Sequence, residues 1–286
     1  MKKIFSVLLL SAFSVSLFAQ DKGSDLKNMR FGVTVLPALN WYKPADPKKF
    51  KNEGVAARLG VLLNGEYSFG SNFAIGFGLG ITSAGGKISF LDSVRYGIDD
   101  DKVLDWNATA TSTTKYYKLN TRDYKASYFL VPFSLKMRTN EIGYLRYFFE
   151  PRFNLGIRKN VRADDDVTDW NSTNVVKQEN LNINKDMAPV CMSVTLSGGG
   201  EYYLSGSTAF VFALGYQYGL GNTVKGTSDY LERYKNVKST KPGSGQQLSE
   251  KFAQNGLVLS VGILLDRKST RLNSSHLKLS RMPSSA

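Results

Sequence analysis

The chain has one cysteine and one histidine in 286 residues. A single thiol excludes a disulfide framework and any multi-thiolate metal site. A single imidazole, His276, removes most histidine-based metal and triad chemistry. Proline is scarce, with 8 residues against 26 glycines, while 42% of the chain is hydrophobic and 12% aromatic. These values exclude collagen and a disordered chain. Long apolar runs are missing too: behind the first twenty residues none approaches the roughly eighteen that a spanning helix needs. Acid is short relative to base, 37 Lys and Arg against 24 Asp and Glu, and the formal charge of +13 would suit a nucleic-acid binder.

Much of that charge sits at the two ends. In residues 1–20, Lys2 and Lys3 precede an apolar stretch from Ile4 to Phe18, and Ala19 offers a small residue for cleavage. This is a signal peptide, and residues 21–27 then form a short N-terminal segment. Residues 266–286 break abruptly with the pattern before them. Asp266 to His276 and Ser280 to Ala286 can be back-translated, in order, into the two ends of a widely used sequencing-library adapter, with Leu277 to Leu279 as variable index. The tail is therefore set aside as non-native sequence. It carries Arg267, Lys268, Arg271, Lys278 and Arg281 against Asp266, and the leader carries two lysines. Without both, +13 falls to +7, no histidine remains, and no nucleic-acid partner is expected.

What the remaining chain has in abundance is strict alternation over segments of about ten residues, the pattern of membrane β-barrel strands. Over 73–82, Phe73, Ile75, Phe77, Leu79 and Ile81 share one face, and Ala74, Gly76, Gly78, Gly80 and Thr82 the other. Lipid outside and a crowded lumen inside would demand that division; a soluble sandwich strand carries a more charged second face. Similar segments fall near 30–40, 54–68, 124–138, 144–158, 188–204, 208–220 and 255–265. Short turns follow every second one, at Gly70 to Asn72, Thr139 to Gly143 and Ser205 to Ser207. The other connections, around 41–53, 84–123, 159–187 and 221–254, are long and polar. The expectation is an all-β, eight-stranded antiparallel up-and-down transmembrane barrel over residues 28–265, with short periplasmic turns and long extracellular loops.

Several runs carry a resemblance as well. Tyr128 to Lys136, Pro151 to Gly156, Gly198 to Tyr203, Tyr216 to Leu220 and Val261 to Ile263 resemble the PorT-like outer-membrane β-barrel family of Gram-negative bacteria. The resemblance covers nearly all of 28–265. It implies the fold and the cell outer membrane, insertion by the barrel-assembly machinery, and contact with outer-membrane lipid and lipopolysaccharide. It names no extracellular partner. Members often end on an aromatic residue, whereas the last residue before the tail is Leu265, so the resemblance also implies that the native C-terminus is replaced here.

Candidate chemistry is sparse. Arg58, Glu66, Lys136, Arg146, Glu150, Arg152 and Glu201 all fall on the inward side of the expected strands. Buried charges need partners, and an eight-stranded barrel is filled by side chains, so these read as a structural ion-pair plug; the functional alternative is a narrow conduit tuned by the same charges. No catalytic residue, cofactor or metal site is expected. The acidic runs Asp99-Asp100-Asp101 and Asp164-Asp165-Asp166 lack the alternate spacing of a calcium loop and read as solvated loop charge. Cys191 falls on the inward face or at its extracellular end. Trp41, Tyr42, Tyr67, Phe69, Tyr124, Tyr128, Tyr144, Tyr202 and Tyr203 read as interfacial girdle residues. The expected function is non-enzymatic, structural or surface-interacting through the long loops. A small pore, a component of a protein-secretion apparatus and a soluble lipocalin-like binder are the alternatives.

Overall fold

The computed structural model describes residues 29–266, apart from 101, 107, 171, 173, 206, 207 and 235–245. The segment read as a signal peptide, the short segment after it, and the tail beyond Asp266 lie outside the described residues. Thirteen strands run in chain order: β1 Met29–Pro44, β2 Phe50–Gly54, β3 Ala56–Ser68, β4 Phe73–Asp99, β5 Lys102–Val103, β6 Lys115–Arg138, β7 Leu145–Asp169, β8 Val175–Asn182, β9 Val190–Ser205, β10 Thr208–Gly219, β11 Thr227–Arg233, β12 Gln246–Ser249 and β13 Phe252–Asp266. No helix among the described residues is long and apolar enough to cross a membrane.

Eight of these strands close a ring. The order β4-β3-β1-β13-β10-β9-β7-β6 is continuous, and β4 pairs with β6 to complete it. All eight pairings in the ring are antiparallel. Closure removes sheet edges, which neither water nor lipid would leave unpaired. The eight expected segments are the eight ring strands, and β13 ends one residue past the expected boundary, where Asp266 pairs with Arg30.

The wall has two zones of opposite polarity. In the lower zone, nearer the short turns, the large apolar residues point outward. On β4, Phe73, Ile75, Phe77, Leu79 and Ile81 are 38–65% exposed. Phe129 and Phe133 on β6, Phe149 and Ile157 on β7, Phe212 and Leu214 on β10, and Val61 and Leu63 on β3 continue the belt around the barrel. The nine residues from Phe73 to Ile81 fall within the roughly 9–11 that a tilted barrel strand uses to cross a bilayer's hydrocarbon layer. Aromatic residues mark its margins, with Phe69 stacked on Phe73 and Tyr144 beside Tyr202 at the short-turn rim, and Trp41 beside Tyr216 at the other.

Above the belt the pattern inverts. β4, β6 and β7 continue for many residues, and apolar side chains now point inward: Ala84, Ile88, Phe90, Leu119, Tyr124, Ala126, Val161, Ala163 and Val167 are buried. Outward positions become Lys87, Asp123, Lys125, Arg162, Asp164 and Asp166. The short strands β2, β5, β8, β11 and β12 pair against this extended wall and against each other. The connections read as long polar loops are thus largely a packed β-structured head with its own core.

Candidate functional site

Lumen packing begins with small residues. Ala74, Gly76, Gly78 and Gly80 present almost no side chain on the inner face of β4, which leaves room for long charged ones from the other strands. Glu66 on β3 and Glu201 on β9 are buried at the centre of the lower lumen. Arg30 on β1 donates to Glu66 Oε2 at 2.7 Å and to both Glu201 oxygens at 3.0 and 3.1 Å, and also to Tyr203 Oη at 3.3 Å. From β6, Lys136 donates to Glu66 and, at 3.2 Å, to Glu201 Oε1, and it lies 3.7 Å from Glu150. Arg138 donates to Glu66, to Glu201 Oε1 at 3.1 Å and to Ser68 Oγ at 3.3 Å. Glu150 in turn accepts from Arg152 at 2.9 and 3.1 Å. Lys136 also stands 4.6 Å from the centre of the Phe148 ring.

The network therefore unites Glu66, Lys136, Glu150, Arg152 and Glu201 with Arg30, Arg138 and Tyr203. Arg58 stands outside it, and Arg146 only borders it, its guanidinium 5.5 Å from the centre of the Tyr203 ring. Arg146 faces Glu201 in the β7–β9 register, yet its guanidinium turns to Glu141 in the short turn, where water also reaches it. Arg58 lies at the opposite end of β3 and bonds to the Tyr124 carbonyl and Asp123. Arg30 and Arg138 carried a usable signal: each shares the inward parity of its strand, at the end of the expected segment.

Two small cavities lie above this plug. One of about 30 Å³ touches Glu66, Lys136, Glu150 and Arg152, and one of about 60 Å³ is lined by Arg152, Asn154, Thr195, Tyr128, Cys191 and Gln254 among others. Arg152 borders both. Volumes this small hold a few waters. Asn154 donates to Thr195 at 2.8 Å within the larger one.

Higher still, aromatic rings close the lumen. Tyr42, Tyr124, Phe50 and Phe252 are at most 2% exposed and meet edge to face, with centroids 5.4 Å apart for Tyr42–Tyr124 and 5.1 Å for Phe50–Phe252. Tyr42, Tyr124 and Tyr128 thus seal the interior and do not belong to an interfacial girdle; their phase on the strand faces inward, above or at the edge of the belt.

The head contains a second set of buried charges. Arg122 is bidentate on Asp165 at 2.7 and 2.8 Å, and its other nitrogen lies 3.9 Å from Asp186. Asp186 accepts from Ser228 Oγ at 2.6 Å and from the Asp229 amide at 2.7 Å. Among the described residues Glu250 accepts only the Tyr124 hydroxyl, at 3.2 Å, and its second oxygen is buried without a hydrogen-bond partner. Burial, with the nearby Asp186 carboxylate adding to it, pushes Glu250 up to about 8. Burial raises Asp186 as well. Beside them Arg95 pairs with Glu232 at 3.2 and 3.3 Å, under the Tyr234 ring.

The run Asp164-Asp165-Asp166 is not solvated loop charge. It lies on β7, so alternation sends Asp164 outward to Lys125, Asp165 inward to Arg122, and Asp166 outward to Lys87 and Thr121. In the other run, Asp99 accepts from Thr111 and Thr113 at 2.8 and 2.6 Å, Asp100 takes a left-handed turn conformation, and Asp101 lies outside the described residues. Among the described residues no group of three His, Cys, Asp or Glu could hold a metal ion.

The family model described as outer membrane protein beta-barrel domain matches residues 18–225. Neisserial surface protein A is 12% identical over 82% of this chain and 96% of its own, with a TM-score of 0.37. The attachment invasion locus protein Ail of Yersinia pestis, solved with the heparin analogue sucrose octasulfate, is 11% identical over 83% and 99%, with a TM-score of 0.33. The outer membrane protease OmpT from Escherichia coli is 9% identical over 86% and 99%, with a TM-score of 0.34. No curated protein matches the sequence.

Proposed function

This chain belongs to the outer membrane protein β-barrel domain family, and from that premise we propose that it acts at the cell surface through the packed head above its barrel, without catalysis and without passing solutes through the lumen. The observation that carries this reading is the double closure of the interior. Among the described residues the ion-pair plug fills the lower lumen, the aromatic layer fills the upper, and cavities of about 30 and 60 Å³ lie between them. A solute would have to break a buried ion-pair network and then part four buried rings. The buried acids support a structural role, because Glu66, Glu150 and Glu201 each face cations from other strands across the lumen.

Planar-bilayer recording tests the reading. The refolded protein is expected to give no steady unitary conductance, and a stable conductance step would overturn it in favour of a small pore. A second reading, a component of a protein-secretion apparatus, draws on the strand runs that resemble PorT-like barrels. Recovery of a stable stoichiometric complex with other envelope proteins after mild solubilisation would favour it.

A further inference from the structure

Outward-facing residues on β4, β6 and β7 form successive rungs across the wall. Ile81, Phe129 and Ile157 are the last apolar rung; Ser83, Ser127 and Asn160 form the next, and Gly85, Lys125 and Arg162 the one after. Each rung is about 7 Å further along the strand, and about 5 Å higher across the membrane once the strand tilt is counted. The first polar rungs therefore fall in the headgroup layer, which takes up the difference between a hydrocarbon core of about 30 Å and a full bilayer of about 40–45 Å.

A pocket of about 300 Å³ opens on the outer wall at this depth, lined by Arg58, Ser127, Lys125, Asn160, Arg162 and Asn180 among others. It exists because the wall has a window there. β3 pairs with β4 only from Gly60↔Thr82 downward, and β2 pairs with β4 from Gly54↔Lys87 upward. Arg58 fills the window. Gly85 lies under it: a Cβ there would strike the Tyr124 carbonyl and lie 2.9–3.0 Å from the guanidinium nitrogens. Among the described residues the buried Nε of Arg58 has no hydrogen-bond partner. Lys159 stands at the lower margin, 5.8 Å from the centre of the lipid-facing Phe129 ring. The acids near the pocket are Asp123, 3.4 Å from Arg58, and Asp164, paired with Lys125. Four cations against two acids leave the pocket net positive.

We propose that this pocket binds the phosphate-bearing headgroup of a glycolipid in the outer leaflet, whose acyl chains lie along the apolar rungs beneath. Guanidinium and ammonium groups supply charge-assisted bonds to phosphate, the amides and hydroxyls of Asn160, Asn180 and Ser127 suit sugar hydroxyls, and the adjoining apolar wall suits the tails. A free phosphate would gain nothing from that wall.

The test compares purified full-length protein with the Lys125→Gln/Arg162→Gln double variant by native mass spectrometry, titrating phosphorylated lipid A, its dephosphorylated form, and inorganic phosphate. A heat-dependent gel shift in both proteins verifies the fold, and Lys177→Gln, an exposed cation on β8 outside the pocket, controls for general charge. The phosphorylated lipid should bind the double variant roughly tenfold or more weakly than wild type, with Lys177→Gln unchanged and the dephosphorylated lipid indifferent to the substitutions. Equal binding by wild type and double variant would overturn the proposal, as would an equal loss in Lys177→Gln. Displacement of the lipid by low concentrations of inorganic phosphate would identify a free-anion site and overturn the lipid assignment.

Discussion

Glu201 meets three cations from two strands, Arg30 on β1 and Lys136 and Arg138 on β6, while itself fully buried. Neutralising it strands positive charge in a closed lumen, and breaking one partner out of a buried ion set costs about 3–5 kcal/mol. Glu201→Gln should therefore lower markedly the temperature at which the folded, fast-migrating gel form is lost. An unchanged temperature would mean that Glu66 alone satisfies the cations. Glu250 makes a prediction of opposite character. Unfolded, it titrates near 4.5; in the head it titrates near 8. Between those values the folded state holds a proton that the unfolded state has released, so the stability of the head falls as pH rises through that window. Asp186 shifts in the same direction. Limited proteolysis of the head should accelerate from pH 5 to pH 9 in wild type. Glu250→Gln should flatten that rise in part, protecting the head at pH 9 and changing little at pH 4. A wild-type head equally resistant at both pH values would refute the assignment.

At the scale of the strand, the barrel was legible and the head was not, for one physical reason. Lipid and water reverse which side of a strand must be apolar. On β6 the belt residues Phe129, Phe133 and Leu135 hold odd positions and point out, whereas Tyr124, Ala126 and Tyr128 hold even positions and point in. The alternation never stops; its phase changes at Tyr128–Phe129. On β7 a bulge does the same work, since Tyr128 pairs with Arg158 but Ser127 with Asn160. Val161, Ala163 and Val167 keep odd numbers and become interior. A search for apolar-out strands loses register there and reads the remainder as loop, so Asp165 was placed in solvent and Tyr42, Tyr124 and Tyr128 at an interface. Glu66, Lys136, Glu150, Arg152 and Glu201 lie below the reversal, where inward parity holds. The same inward face on β9 needs Gly199. A Cβ there would strike the Phe212 carbonyl and lie 2.6 Å from the Ala213 Cα. Because the obstacle is backbone, Gly199→Val should cost more than the 1–3 kcal/mol typical of overpacking, read as a collapsed yield of heat-modifiable barrel on refolding. Gly221→Val, with nothing within 4 Å of its Cβ position, should refold like wild type.

For the whole molecule, the two closures act in series along one axis, and their chemistry is independent. The lower one is ionic and lies in the membrane belt; the upper one is aromatic and lies at the base of the head. Opening either alone leaves the other across the lumen. Phe252→Ala removes a ring that touches Tyr42, Phe50 and Tyr124, yet the plug around Glu201 remains, so this variant should stay silent in planar bilayers. Lys136→Ala with Glu66→Ala removes one charge of each sign from the plug, leaving the net charge unaltered, and should also stay silent because the rings above are intact. Only the combination of all three substitutions should admit small ions, seen as a conductance absent from wild type and from both partial variants. If the aromatic variant conducts alone, the ionic network is a filter that ions cross, and the lumen is a gated conduit whose lid is the head. If the plug variant conducts alone, the aromatic layer is not a seal. Silence in both, followed by conductance in the combination, is what a barrel closed twice for stability requires.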